Sequence, residues 1–147
     1  MAFGGPNQTA TPVPVVDFTP QKNYLSFSSI INQLINVVTY LTTTVTLLYT
    51  DVLGGFIILT NGSAIAATLP SAALLVPQIE GAQVGSSIHF LVKAGGAGTV
   101  TVAAGTGGTI NGTATVATLN IKEFLLVVTA VGATPTYTAY SLGTSVY

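Results

Sequence analysis

The hydrophobic period of this 147-residue chain changes once, at Gly54, and that change limits what it can form. Before it, Tyr24, Phe27, Ile31, Leu34, Val38, Leu41, Val45, Leu48 and Val52 follow one another in steps of three and four. After it, apolar residues alternate with polar ones, and Gly, Asn and Pro punctuate the runs. The first pattern is that of a helix with one apolar seam, and the second that of short, half-buried strands.

Residues 23–53 contain no Gly or Pro and no charge before Asp51. In heptad register Tyr24, Ile31, Val38, Val45 and Val52 occupy a, with Phe27, Leu34, Leu41 and Leu48 at d. Asn32, Thr39 and Thr46 at b, with Ser29, Asn36, Thr43 and Thr50 at f, leave a polar outer face. The spacing predicts a coiled-coil helix over 22–53 that associates through these nine a and d residues. Ile30 and Val37 at g and Ile35 at e widen the apolar face, which suits three helices better than two. A bilayer span is not expected, since a lipid-facing helix would not keep a polar b/f stripe. The β-branched run Thr42–Thr46 opposes a helix locally. Packing across the seam supplies most of a coiled coil's stability, so the seam period is the stronger signal.

Residues 1–21 carry four of the seven prolines, Pro6, Pro12, Pro14 and Pro20, which disfavours helix and central strand alike. They read as an extended N-terminal arm. Val13, Val15, Val16 and Phe18 give it more apolar content than a solvated linker needs, and are the expected anchoring residues.

From residue 54 to 147 about eight strands are expected: Phe56–Thr60, Ser63–Leu69, Ser87–Lys93, Thr99–Ala103, Gly108–Asn111, Thr113–Thr118, Lys122–Val131 and Thr136–Leu142. Asn61-Gly62 between the first two is a two-residue hairpin signal. Residues 71–84 read as a loop with one helical turn or as an irregular crossover. Ala94–Gly98 and Gly105–Gly108 lack a following Lys-Ser/Thr and a helix behind them, so they read as hairpin loops and not as phosphate cradles. The fold expected is mainly β with one N-terminal α-helix: an arm, a coiled-coil stem, then a small antiparallel β-sandwich or jelly-roll-like head domain.

Composition narrows the function. Only 5% of the residues are charged against 49% hydrophobic, where a soluble domain has about 25% charged. Much of the surface is therefore expected to be covered by other copies or kept wet by Thr, Ser, Asn and Gly. With no Arg and three scattered lysines, no basic patch exists for nucleic acid. The absence of Cys removes thiolate chemistry and Cys-ligated zinc. The first 18 residues lack the basic and apolar regions of a secretory signal, which predicts use from the cytoplasm. The sequons at 7–9, 61–63 and 111–113 then read as turn chemistry.

Candidate chemistry is sparse. His89 stands alone in its strand, on the side opposite Ile88 and Phe90, and reads as a surface or interface residue. Asp17, Asp51, Glu80 and Glu123 lie in separate segments, and a metal site needs at least three ligands. No catalytic, cofactor-binding or metal-binding residue is assigned. Tyr137, Tyr140 and Tyr147 are expected to pack at a subunit boundary.

The phrases AIAATLPSA at 64–72, GAQVGSSIHFLV at 81–92, AGTVTVAAGTGGTINGTATVAT at 97–118, FLLVVTAV at 124–131 and YTAYSL at 137–142 resemble the small virion structural proteins of tailed bacteriophages. That group comprises head fibres, decoration proteins and tail-fibre modules. The resemblance implies a homotrimer with an N-terminal anchor, a helical stem and a β-rich head, located in a virion assembled in the host cytoplasm. It implies no enzyme activity and no cofactor. The major capsid protein or another virion protein is the expected docking partner, with neither nucleic acid nor membrane. Two further readings stay open: a tail fibre or spike that contacts the host, and a sugar-binding β-sandwich that takes a host-surface glycan.

Overall fold

A computed structural model of the chain describes residues 35–146. They run β1 (Asn36–Tyr40), β2 (Thr44–Thr46), α1 (Tyr49–Gly54), β3 (Gly55–Leu59), β4 (Ile65–Thr68), then α2 (Ala72–Leu75), which continues into a 3-10 turn at Val76–Gln78. After these come β5 (Ser87–Ala94), β6 (Val100–Ala103), β7 (Gly108–Asn111), β8 (Thr115–Val116), β9 (Asn120–Ala130) and β10 (Thr136–Val146). The strands form a six-stranded sheet in the order β1-β3-β5-β9-β10-β7 and a four-stranded sheet in the order β2-β4-β6-β8.

Successive strands from β1 to β6 alternate between the two sheets, and within each sheet they run parallel. Val37 lies beside Phe56 and Phe56 beside Leu91, while Thr44 lies beside Ala66 and Ala66 beside Thr101. From Asn36 to Ala103 the described residues therefore wind as a short solenoid of three turns. The last turn is closed by antiparallel strands, β9 against β5, β10 against β9 and β8 against β6, with β7 parallel to β10.

This corrects the antiparallel sandwich expected from the turn signals. The strands after Gly54 fall close to where alternation places them, but Asn61-Gly62 is a corner and not a hairpin. Asn61 Oδ1 accepts the Ser63 N–H at 3.0 Å, and Asn61 Nδ2 donates to the Leu41 carbonyl of the preceding turn at 3.0 Å. The chain steps across to the other sheet because β3 and β4 bury opposite walls of one core: Ile57 and Leu59 from one side, Ile65 and Ala67 from the other. The Gly-rich run after β5 is likewise a stacked corner. A Cβ on Gly96 would overlap the backbone of Asn61, and one on Gly98 the Ser63 carbonyl, although neither glycine has positive φ.

The coiled-coil stem is corrected over the part of it that is described. Asn36–Tyr40 and Thr44–Thr46 are strands, and only Tyr49–Gly54 is helical. Val38 and Val45 pack against the core and Val52 is buried in α1, whereas Leu41 and Leu48 stand exposed at corners. The reason is that β-branched Thr42–Thr46 resist a helix, while β3 and β4 offer this stretch a ladder on each sheet. Among the described residues the strands accordingly start at Asn36, ahead of Gly54. Tyr24, Phe27, Ile31 and Leu34 of the seam lie outside the described residues, as do the arm residues Val13, Val15, Val16 and Phe18.

The core lies between the sheets. Phe90 and Phe124 face each other across β5 and β9 with ring centroids 5.3 Å apart and planes 10° from parallel. Ala72, Leu75 and Val76 join the same cluster from the α2 segment. The short helix α1 starts where Asp51, at its third position, accepts the Leu48 N–H at 2.8 Å, half of a capping box. It ends at Gly55, whose φ of 89° turns the chain into β3.

Candidate functional surface

The buried polar side chains tie turns of the solenoid together. Asp51 is 3% exposed and receives two hydrogen bonds, from the Leu48 N–H and, at 2.7 Å, from the Tyr40 hydroxyl. Burial, followed by the hydrogen bond and the charge of Asp51, pushes the Tyr40 phenol up to about 12. Tyr137 lies in the core, where its hydroxyl donates to the Pro70 carbonyl at 2.9 Å and accepts the Gly105 N–H at 3.2 Å. Burial raises its pKa, with the Gly105 bond pulling the other way. Lys122 is 5% exposed, and its Nζ donates to the Thr113 carbonyl at 2.8 Å. Each of these groups spends its hydrogen bonds on a fixed backbone or side-chain partner.

Among the described residues, His89 and Glu123 form an exposed acid–base pair. His89 Nδ1 and Glu123 Oε1 are 2.7 Å apart on the outer face of the six-stranded sheet, both well solvated. An exposed pair of this kind contributes about 0–1 kcal/mol. Among the described residues no three His, Cys, Asp or Glu side chains come together as metal ligands. Two shallow concavities, of about 410 and 370 Å³, are lined by aliphatic residues, Pro, Gly, Ser and Thr, apart from Tyr49 in the second, and contain no carboxylate or imidazole.

The two outer sheet faces differ sharply. On the four-stranded sheet, Thr44, Ala66, Thr101 and Thr115 line up across the strands, short and hydroxyl-rich. On the six-stranded sheet, the outward positions include Val37, Phe56, Leu91, Leu125, Val127 and Tyr140. Val37, Leu91 and Tyr140 are exposed by 53%, 37% and 38%, and the rest are half-buried. Their inward neighbours Ile57, Phe90, Leu126 and Val128 are fully in the core, so these strands are apolar on both sides.

Of the tyrosines expected at a subunit boundary, Tyr140 lies on this outer face, Tyr137 is instead 1% exposed inside its own chain, and Tyr147 is outside the described residues. His89 is on the surface, and the outer side it shares is itself apolar. The unbroken runs FIIL at 56–59 and FLLVV at 124–128 are the signal for such a two-sided strand. Reading only alternate residues as core passes over it. The Tyr40–Asp51 and Tyr137–Pro70 ties join residues 11 and 67 apart and leave no mark in local pattern. No family model, curated protein or solved structure matches the chain.

Proposed function

We propose that the chain is a non-enzymatic structural protein of a virus particle, a homo-oligomeric head fibre or decoration protein attached through its N-terminal residues. The observation that carries this reading is the apolar outer face of the six-stranded sheet on a body whose buried titratable groups are all committed to holding its turns together. Such a body offers surface for assembly, and the His89–Glu123 pair lies on that same exposed face. The low charge of the chain fits a particle component whose faces are covered in the assembly. The phage-like phrasing of residues 64–142 supports the virion setting, and a trimer is the expected assembly.

The test is to locate the chain in purified particles by mass spectrometry and electron microscopy, and to repeat this with residues 1–20 deleted. The intact chain is expected at fixed stoichiometry and the truncated one missing from otherwise complete particles. A chain absent from particles overturns the reading. Undiminished incorporation after the deletion moves the attachment to the β body. Glycan-array binding that depends on surface aromatic residues would favour the sugar-binding alternative.

A further inference from the structure

We infer that the outer face of the six-stranded sheet is where copies of this chain associate, so that the β body itself holds a pair of copies together. The inference deepens the structural-protein reading and rests on it for its purpose, while its evidence is separate.

Three observations select a second copy as the occupant. The first is area. The six strands are four to eleven residues long. At about 3.3 Å per residue and about 4.8 Å between strands they present on the order of 700 Å². A stable interface takes about 800 Å² per partner, so the face is of the size that a pair of like surfaces needs; such a like-to-like contact is twofold, which sets this pairing apart from the threefold assembly that the resemblance implies.

The second is charge. The ionisable groups on this face are His89 and Glu123, in contact with each other, Lys93 four residues along β5, and the Tyr140 phenol. Glu123 and Lys93 carry opposite charges, so a copy of the face meets no net repulsion, and a partner with a strong charge of one sign gains no net attraction. The third is the contrast with the opposite sheet. Its outer positions alternate on the same backbone geometry yet carry Thr and Ala, which water solvates or tolerates, whereas Phe56, Leu91, Leu125 and Tyr140 gain from being covered. Sheets packed face to face lie about 10 Å apart, the separation that side chains of this length fill.

The chain has no cysteine, which makes the face directly testable in the full-length protein. Sedimentation velocity on the wild type is expected to show an oligomer at micromolar concentration. Leu91→Glu with Leu125→Glu is expected to reduce it to monomer with unchanged far-UV circular dichroism, and Thr101→Glu on the opposite sheet to leave the mass unaltered. Should the double variant fold poorly, Leu125→Cys is the second probe. A short bismaleimide is expected to join its copies and to leave Thr101→Cys chains unjoined. A wild-type monomer overturns the inference. In that case protection of Leu125→Cys from maleimide assigns the covering to this chain's own residues 1–34, and free labelling assigns it to a different protein. An oligomer that survives both glutamates, or that crosslinks through Thr101→Cys instead, also overturns it. None of these outcomes depends on particle incorporation, so failure here is distinct from failure of the virion reading.

Discussion

The Tyr40 hydroxyl donates to the Asp51 carboxylate at 2.7 Å, joining the end of β1 to the first turn of α1. Asp51 also holds the Leu48 N–H, so one buried carboxylate serves two donors at the start of the solenoid. Asp51→Ala is expected to destabilise the protein by about 1–3 kcal/mol, the scale of hydrogen bonds to a charged group. Urea denaturation of wild type and variant measures this. A midpoint equal to that of the wild type would mean that the tie contributes nothing.

The same contact sets an alkaline limit. The Tyr40 phenol titrates at 10.0 when free and is pushed up to about 12 in the fold, and that of Tyr137 is also raised. A raised folded value means the protonated form is the one stabilised, so this contribution is complete below pH 10 and is lost as pH rises through 12. Thermal melting between pH 8 and 12 is expected to show a falling midpoint at the upper end, roughly the range of phenol ionisation. In Tyr40→Phe that decline should be shallower. Equal alkaline slopes in the two proteins would remove Tyr40 from the account.

Tyr137, on β10 of the same six-stranded sheet, is the counterpart. Its hydroxyl bridges the Pro70 carbonyl and the Gly105 N–H, groups on two different corners. Tyr137→Phe keeps the ring and strands both backbone groups, with an expected loss of about 1–3 kcal/mol in chemical denaturation. Hydrogen exchange should quicken at Gly105 ahead of the β9–β10 ladder. Unchanged protection at Gly105 would show that the phenol is not its partner in solution.

Strand positions after residue 54 were legible because each carries one core-facing side, as in Ile88, Phe90 and Val92. What those strands pair with was not, because parallel stacking joins residues such as Ile65 and Val100 that share no local signal. A corner and a hairpin also draw on the same Asn-Gly dipeptide. Residues 36–52 misled for a further reason: Val38, Val45 and Val52 satisfy a seven-residue repeat, and the inward positions Val38, Tyr40, Val45 and Leu47 also satisfy a period of two within each short strand. The β-branched threonines were the deciding local signal, and tertiary pairing acted with them. The apolar outer face is written in FIIL and FLLVV, whose alternate residues Phe56, Ile58, Leu125 and Val127 lie on the side away from the core.

Two glycines separate a stacked corner from a hairpin. In a two-residue hairpin the glycine of Asn61-Gly62 needs positive φ, and a side chain there is strained. In the corner observed, Gly62 does not have positive φ, and an added Cβ meets nothing within 4 Å. Gly62→Ala is therefore expected to be neutral or to stabilise by about 0.4–1 kcal/mol, through the lower entropy of the unfolded chain. Gly98 behaves in the opposite way, since its Cβ would overlap the Ser63 carbonyl of the turn beneath it. Backbone cannot yield as a side-chain end can, so Gly98→Ala is expected to cost about 1–3 kcal/mol, the range for overpacking. The pair is read together by thermal denaturation of both single variants. Destabilisation by Gly62→Ala with tolerance of Gly98→Ala would restore the hairpin and dissolve the three-turn stack, whereas the reverse order places the two corners one above the other.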